Sequence, residues 1–380
     1  MTRHARILGS RALLASSLLG AVTLAHCSGD DTPPAVLDGG VDATVDVVDS
    51  GLADAIGDGD AATIDAGPCA TDAGNELPKL LSCAGLYSDI ATKTVATGNV
   101  PYLPGVQLWS DGAQKQRWLN LPPNTTIDVT DMNDWVFPVG TKAWKEFKLL
   151  GSRIETRVFW KRGPNDWTWA TYAWANDESE ATRLDQGAKN VVGTYEIPER
   201  LACDQCHAGR KDKLLGVEAI ALALATAEGL TLDVLAKAGR LAPTPAVTTA
   251  SLPEDATGKA GAALGYLHMN CGVACHNHNP NAGAEASGLY MKLPAAAVLA
   301  GGVVVTSLEL WTTSANQPIT APNFLSFKNA GYTRLTPKDS AKSLIPALMG
   351  MRGTFQMPPI VTHEPDTVGQ PLVKGWIDAL

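Results

Sequence analysis

The 380-residue sequence has little of what nucleic-acid-binding and membrane-spanning proteins require. Only 18% of its residues are charged, and the formal charge of −9 leaves no basic surplus for a nucleic-acid partner. No apolar run after the first 27 residues is long enough to cross a bilayer. The best candidate, Leu214 to Leu230, is interrupted by Glu218 and Glu228, so it predicts a helix of a soluble domain. The 45% apolar content is sufficient for buried cores.

Residues 28–67 lack aromatic residues, Lys, Arg and Glu, but contain ten Asp. Such a segment cannot bury enough apolar surface to offset its ordering entropy, so we expect a disordered acidic linker. Its Asp-Gly repeats also suggest calcium binding. However, the spacing does not supply an EF-hand loop with its terminal Glu, which favours the linker. Because this segment contributes a charge of −10 and the first 27 residues contribute +3, the net charge of residues 68–380 is only −2.

The first 27 residues have the pattern of a signal peptide. Three Arg precede a short apolar stretch, Ala12 to Ala25, and Cys27 follows. This end resembles a bacterial lipobox, in which the Cys is lipidated, although His26 stands where a small residue is usual. Cleavage without lipidation is the alternative. We therefore expect an exported protein, either an outer-membrane lipoprotein or a periplasmic protein of a Gram-negative-type envelope. Export also predicts a disulfide between Cys69 and Cys83.

Residues 68–200 have a β pattern rich in tryptophan. Eight of the ten Trp lie between Trp109 and Trp174. The runs 154–160 and 167–174 both alternate, and turn-forming residues separate them, which predicts a hairpin with aromatic cross-strand pairs. A Trp-rich sheet can serve as a sugar-binding platform, but core packing is the commoner role. We predict an antiparallel β-sandwich-like domain here.

Beyond residue 200 the pattern becomes helical, which makes the predicted fold class α+β. The first segment, Leu214–Leu241, has helix-period apolar residues with Gly229 and Gly239 as breaks. A second helix is expected over Ala260–Met269. The chain ends in an amphipathic helix, Pro371–Leu380, whose predicted apolar face consists of Leu372, Val373, Trp376 and Ile377.

The strongest functional motif is Cys203-Asp-Gln-Cys206-His207. In this pattern the two thiols are spaced to form thioethers with the haem vinyl groups, and the adjacent imidazole ligates the iron. A thioredoxin-like redox pair and half of a zinc site are the alternatives. A thioredoxin-like pair would lie near a βαβ unit, which the surrounding sequence does not predict.

A second motif, Cys271 to Cys275 followed by His276, has one extra residue between its cysteines. A small bulge, for which Gly272 is suited, would accommodate that residue. A c-type haem is the favoured interpretation. The alternatives are a local disulfide and a copper or zinc site built from the same three residues and His278.

The downstream sequence provides a candidate sixth ligand. Phe355-Gln-Met357-Pro358-Pro359 precedes the C-terminal helix. This resembles the distal half of a cytochrome c domain, where a Met before Pro is the axial ligand, so Met357 is expected to ligate the second haem. The first haem has no comparable candidate. His268 is possible as its sixth ligand, but a structural role for His268 is as well supported. A five-coordinate iron is equally open.

The chain also resembles a family of exported bacterial dihaem c-type cytochromes, over roughly residues 80–380. The segments that carry the resemblance are Leu108–Ala113, Lys115–Trp118, Trp135–Thr141, Trp144–Phe147 and Ile154–Arg157. The resemblance implies a β-rich N-terminal region and a terminal cytochrome c-like domain. It also implies haem attachment at Cys203, Cys206 and His207 and again at Cys271, Cys275 and His276, where the family usually has two intervening residues. It brings no substrate and no catalytic residue.

These observations predict five segments and one main function. The segments are a signal peptide (1–27), a linker (28–67), a Trp-rich β domain (68–200), a helical first attachment segment (201–260) and a cytochrome c-like domain (261–380). The expected function is electron transfer by two haem c groups, with periplasmic or membrane redox proteins as partners. A dihaem peroxidase or oxidase with an open first haem is the enzymatic alternative, and a copper- or zinc-binding module is the third.

Overall fold

Antiparallel strands dominate the N-terminal half of the described chain, which comprises Cys69, Thr71–Asp72 and residues 75–380 of a computed structural model. In chain order the strands are β1 (Thr71–Asp72), β2 (Asn75–Pro78), β3 (Tyr87–Asp89), β4 (Thr94–Val95), β5 (Val100–Leu103), β6 (Gln114–Asn120), β7 (Ile127–Asp128), β8 (Lys142–Leu149), β9 (Ser152–Gly163), β10 (Asp166–Trp174), β11 (Ala181–Arg183), β12 (Glu228–Gly229) and β13 (Leu241–Ala242). One sheet contains seven of them, in the order β11-β10-β9-β8-β6-β5-β12. The signal-like segment, Cys27 and the linker lie outside the described residues.

Helices follow in the C-terminal half, so the mixed α and β content predicted from the sequence is confirmed. They are α1 (Ala202–His207), α2 (Ala219–Ala223), α3 (Leu232–Lys237), α4 (Ala260–Leu267), α5 (Ala295–Ala300), α6 (Glu309–Thr312), α7 (Leu325–Asn329), α8 (Leu344–Met349) and α9 (Gly369–Ile377). Short 3₁₀ turns occur at Leu81–Cys83, Glu285–Ser287, Val305–Ser307, Pro322–Phe324 and Ser340–Lys342. No helix in this part of the chain is long and apolar enough to cross a membrane.

The predicted hairpin is confirmed as the pair β9 and β10. Phe159 lies directly opposite Trp169, and their rings stack with centroids 5.8 Å apart. Such cross-strand aromatic pairs stabilise antiparallel strands by about 0.2–1 kcal/mol each. The strand alternation therefore directs Phe159 to one face of the sheet and its neighbours Val158 and Trp160 to the other.

Both faces of the large sheet are covered, and the tryptophans form much of the core. On one face Trp118, Trp144 and Val158 pack beneath the segment 77–95, which includes β3 and β4. On the other face Phe159 and its cross-strand neighbours pack against the C-terminal helices. The core role expected for the tryptophans is confirmed for the five buried ones, Trp118, Trp135, Trp144, Trp167 and Trp174. Near the start of the segment, Cys69 and Cys83 form a disulfide with their Cα atoms 5.3 Å apart, the pair that export predicts.

The predicted helical segment Leu214–Leu241 is wrong over most of its length, since only α2 and α3 form within it. The carboxylate of Glu218 caps the start of α2 by accepting the backbone N–H groups of Ile220 and Ala221. The helix ends at Leu224, whose extended backbone pairs with Ala250. The helices α4 and α9 form as expected, but Leu372 of α9 is 39% exposed and does not belong to its buried face.

Candidate cofactor site

The first motif lies on α1, and its three functional residues share one helix face. Cys206 is three residues and His207 four residues after Cys203, the spacings that bring side chains together on an α-helix. Cys203 is 8% exposed and belongs to the main hydrophobic core, whereas Cys206 is half-buried. Burial raises the pKa of the Cys203 thiol.

The imidazole of His207 is held in one orientation by its surroundings. Its Nδ1 atom lies 2.5 Å from the carbonyl oxygen of Lys213, and its ring stacks on Phe159 with centroids 4.3 Å apart. A carbonyl only accepts, so Nδ1 carries the proton and Nε2 keeps its lone pair. Burial lowers the pKa of His207 to about 3, so the ring is neutral. Neutral imidazole with a free Nε2 is the form that binds a metal.

Asp212, the residue before Lys213, holds the Lys213 carbonyl in place beside His207. The carboxylate of Asp212 is buried and accepts hydrogen bonds from Lys161 Nζ and Trp167 Nε1, each at 2.6 Å. It also accepts the backbone N–H of Phe137 at 2.5 Å. These contacts attach the segment after α1 to the large sheet, and a buried ion pair with additional hydrogen bonds resists displacement.

In the second motif a π-helical turn accommodates the extra residue. Helix α4 continues into the π turn His268–Gly272, and the N–H of His276 donates to Cys271 O, five residues back, at 2.9 Å. Gly272 is needed for a different reason from the predicted bulge. A Cβ atom there would lie 2.5 Å from the backbone of Met291, so only glycine permits this close approach.

His276 repeats the arrangement of His207. Its Nδ1 atom lies 3.0 Å from the carbonyl oxygen of Leu289, which again leaves the lone pair on Nε2. Burial lowers the pKa of His276 and keeps the ring neutral. Burial also raises the pKa of the nearby Cys271 to about 12. All four motif cysteines are free thiols.

Each motif opens onto a cavity. The first, here called the Cys206 cavity, has a volume of about 460 Å³ and is lined by Cys206 and His207. The second, the Cys271 cavity, has a volume of about 500 Å³ and is lined by Cys271 and His276. Both volumes are in the range of small-molecule and cofactor sites. The two cavities share a wall that contains Gly283, Ala284 and Met357.

Cys275 joins the two motifs. It lines the Cys206 cavity rather than the Cys271 cavity, and its thiol interacts with that of Cys206. This interaction lowers the pKa of Cys206 to about 7 and raises that of Cys275. The backbones also touch, because a Cβ atom at Gly209 would lie 1.8 Å from Ala274 O. The structure therefore brings the two sequence-predicted motifs into direct contact.

The segment that carries Met357 is fixed by a turn of the β region. This segment, residues 350–368, connects α8 to α9 and is here called the Met357 loop. The carboxylate of Asp111 accepts the backbone N–H groups of His363 at 2.9 Å and Glu364 at 3.2 Å. The indole N–H of Trp109 donates to Glu364 O at 3.0 Å.

The other two candidate histidines have partners outside the cavities. His268 is buried, and its Nδ1 accepts the backbone N–H of Leu293 at 3.0 Å, while Nε2 lies 3.6 Å from a Glu218 oxygen. This arrangement is structural. His278 has a side chain 61% exposed and lies 3.0 Å from Glu309. Within the described part of the chain, no three His, Cys, Asp or Glu side chains are grouped to hold a metal ion.

Sequence analysis missed several residues that line the Cys206 cavity. Trp109, Lys145 and Arg157 all contribute to its wall, although they precede α1 by 45 to 93 positions. All three fall within the segments on which the resemblance to dihaem cytochromes is based, so these segments could have indicated that the residues belong to the site. They were not predicted as site residues because the segments were assigned to a separate β domain.

Comparison of the chain with protein-family models, with curated proteins and with solved structures found no match.

Proposed function

We propose that this chain is a dihaem c-type cytochrome that transfers electrons. The observation that carries the proposal is the matched geometry of His207 and His276. Each imidazole is neutral, gives its Nδ1–H to a backbone carbonyl and lines a cavity together with a free cysteine thiol. That combination fits haem c, which needs thiols for its vinyl groups and an unprotonated imidazole nitrogen for its iron.

The cavities supply Cys206 and His207 for one haem and Cys271 and His276 for the other, and the spacing of the motifs adds Cys203 and Cys275. Cys203 and Cys206 would hold one haem by thioethers, and Cys271 and Cys275 would hold the other. His207 and His276 would be their axial ligands. A haem iron, when bound, supplies reversible one-electron chemistry. The carbonyls of Lys213 and Leu289 keep each ring in the ligating tautomer, as second-shell partners do in other metal sites.

Met357 is the proposed sixth ligand of the second haem. It lines the Cys271 cavity together with apolar side chains, namely Leu289, Ile319, Phe324, Leu344, Ile345 and Leu348. A thioether ligand and an apolar surrounding both favour the reduced iron and raise the reduction potential. Because Met357 also lies on the wall of the Cys206 cavity, the two haems would be neighbours, which suits a relay.

The finer architecture is part of the proposal. The large sheet and the layer over it at residues 77–95 would be a β-sandwich-like domain, and residues 261–380 a cytochrome c-like haem region. Membership of the exported dihaem cytochrome family is supported by the cavity wall. Leu108, Trp109, Ser110, Lys145 and Arg157 belong to the segments that resemble this family and line the Cys206 cavity.

We also propose the setting in the cell from the residues outside the described range. A signal peptide would direct export, lipidation at Cys27 would anchor the protein at the outer membrane, and residues 28–67 would link the anchor to the folded chain. Redox proteins of the periplasm or membrane would be the partners. Labelling of the expressed protein with a radioactive fatty acid, compared between the wild type and Cys27→Ala, tests the anchor.

The decisive experiment is a pyridine haemochrome assay combined with intact-mass measurement of the mature protein from a host that makes c-type cytochromes. The expected result is a mass increase of two haem units that resists acid extraction. A single haem, unaffected by Cys271→Ala, would remove the second site. Absence of covalent haem would overturn the proposal and turn attention to zinc or copper analysis around His276 and His278.

The lining of the Cys206 cavity also favours a second candidate, a haem peroxidase or oxidase. Among the described residues of its wall, His207 is the one imidazole and Met357 the one thioether, and Met357 is shared with the other cavity. The first iron would then keep an open position. Spectral shifts on adding cyanide or peroxide to the oxidised protein would support this candidate, whereas two six-coordinate haems would exclude it.

A further inference from the structure

Three cations stand side by side on the sheet face that adjoins the Cys206 cavity. The registers of β6, β8 and β9 place Arg117 opposite Lys145 and Lys145 opposite Arg157, and we call these three residues the cationic row. Like charges directly opposite on neighbouring strands are destabilising. Lys115, two residues before Arg117, adds a fourth cation to the same face. The sheet thus concentrates positive charge beneath one side of the cavity.

Two carboxylates of the described chain lie near the row: Glu155, which acts on Lys145 as well as on Arg157, and Glu196 on the cavity wall, which lies 2.9 Å from His363 Nε2. Arg157 is paired with Glu155, with N–O distances of 2.9 and 2.6 Å. Arg117 is 1% exposed and uses one nitrogen for Gln107, while its Nε and Nη2 atoms have no hydrogen-bond partner among the described residues. The Lys145 ammonium contacts only the Phe147 ring there, at 5.1 Å. Buried charges are ordinarily paired, and Arg117 and Lys145 have no anionic partner among the described residues.

The pKa of Lys145 is consistent with the absence of an anionic partner. Burial, together with the neighbouring cations Arg117, Lys115 and Arg157, lowers its pKa well below the ordinary range. A bound carboxylate would restore the charge, because an opposite charge nearby favours the ionised form. In the Cys271 cavity, by contrast, Arg334 already donates to backbone carbonyls of Ser287 and Gly288 at 2.6 and 2.7 Å. The shortage of acceptors is therefore a feature of the Cys206 cavity.

The row is also in the right place for a ligand of that cavity. Lys145 and Arg157 line its wall together with Cys206 and His207. Phe159, on which the His207 ring stacks, is two residues after Arg157 and points to the same face of the sheet. A ligand attached at Cys206 and His207 would therefore share the cavity with Lys145 and Arg157.

We propose that Lys145 and Arg157, the two members of the cationic row that line the Cys206 cavity, bind the carboxylate groups of the first haem. This inference rests on the proposed function, because haem c carries two carboxylates that need cationic or hydrogen-bonding partners. The β region would then not be a separate module. It would form one wall of the first haem site, orient the haem through Lys145 and Arg157, and raise its reduction potential by opposing the negative carboxylates.

The test replaces Lys145 by Met, which keeps the length and removes the charge, and by Arg, which keeps the charge. Lys142→Met, on the opposite face of the same strand, is the matched control. Haem content is measured by haemochrome and mass, and both reduction potentials are measured as a function of pH. A Cys271→Ala/Cys275→Ala variant with only the first haem assigns the potentials.

We expect Lys145→Met to retain two haems but to lower the potential of the first. That potential also becomes pH-dependent, because the unpaired carboxylate takes up a proton more readily. Lys145→Arg and Lys142→Met should match the wild type. Unchanged potentials in Lys145→Met contradict the inference. So does a changed iron-ligand spectrum in both Lys145 variants, which would make Lys145 an axial ligand instead.

Resonance Raman spectra of the wild-type protein test the same contact without a variant and therefore decide the matter if Lys145→Met does not mature. The bending modes of the haem carboxylates should have the frequencies of ion-paired groups, and frequencies of free carboxylates for the first haem would refute the inference. A wild-type protein without haem at Cys203 and Cys206 would instead refute the proposed function, so the two failures are distinguishable.

Discussion

The carboxylate of Asp111 accepts a hydrogen bond from the backbone N–H of His363, 2.9 Å away and 252 residues later in the chain. Glu364 donates a second backbone N–H to the same carboxylate at 3.2 Å. Both donors lie six to seven residues beyond Met357, in the Met357 loop. A turn that belongs to the β region thus fixes the loop that carries the proposed axial ligand. Loss of these hydrogen bonds would therefore let Met357 change position.

Replacing Asp111 by Ala should therefore loosen the Met357 loop. Hydrogen bonds to a charged acceptor contribute about 1.5–3 kcal/mol each, and less where they are exposed as these are. We expect a weakened Met–Fe(III) charge-transfer band and a lower potential of the second haem, with haem content unchanged. Asp177→Ala, which removes a similar carboxylate-capped turn distant from the loop, is the control. Identical spectra for both variants would show that Asp111 does not position Met357.

Met357 itself should be distinguishable from its neighbour Met351. Both residues pack against the same small cluster, which includes Phe324 and Phe327, but only Met357 also lines the two cavities. Met357→Leu should abolish the Met–Fe band and lower the potential, because a soft thioether ligand stabilises the reduced iron. Met351→Leu should preserve both. The reverse pattern would assign the sixth ligand to Met351.

His268 should be needed for stability and not for the haem spectrum. Its ring is fixed between Leu293 N–H and the buried Glu218 carboxylate. Truncation to Ala creates a cavity and leaves the buried Leu293 N–H without its acceptor, so we expect a loss of about 2–5 kcal/mol in the free energy of unfolding. Denaturant unfolding and the visible spectrum measure the two effects. His278→Ala, at an exposed ring, should change stability by less than about 0.5 kcal/mol. A spectrum altered in His268→Ala would instead identify a ligand.

Local patterns in the sequence predicted the hairpin and identified the two cysteine motifs, but they did not predict how these parts come together. The hairpin of β9 and β10 follows from alternation and turn residues within some twenty positions. The contact of Lys145 and Arg157 with the Cys206 cavity depends on tertiary structure between distant segments, which periodicity does not encode. Met357 was predicted as a ligand from its local context. The hydrogen bond that fixes its loop, from His363 to Asp111, joins residues 252 positions apart.

The incorrect prediction of a helix over Leu214–Leu241 also results from reliance on a local pattern. Its apolar residues satisfy a helical period because they are buried, and burial rather than helical structure produced the pattern. Ala219, Ile220 and Leu222 are each at most 1% exposed on α2, a helix of five residues. A short apolar run can occupy a core in several backbone conformations, so periodicity alone does not determine its structure.

The contact between the two motifs gives the sharpest stability prediction. A Cβ atom at Gly209 would lie 1.8 Å from Ala274 O, and neither atom belongs to a flexible side chain. Gly209→Ala must therefore separate the backbone after His207 from that before Cys275. Overpacking of this kind costs about 1–3 kcal/mol, so the midpoint of thermal unfolding should fall.

Gly375→Ala is the matched control for Gly209, because it lies on α9 with open space around its Cβ position. This substitution should stabilise by about 0.5–1 kcal/mol through the higher helix propensity of Ala. If the two motifs hold neighbouring haems, Gly209→Ala should also alter the difference between the two reduction potentials, since it moves one attachment site relative to the other. Equal stability and equal potentials in both Ala variants would mean that the motifs do not pack against each other.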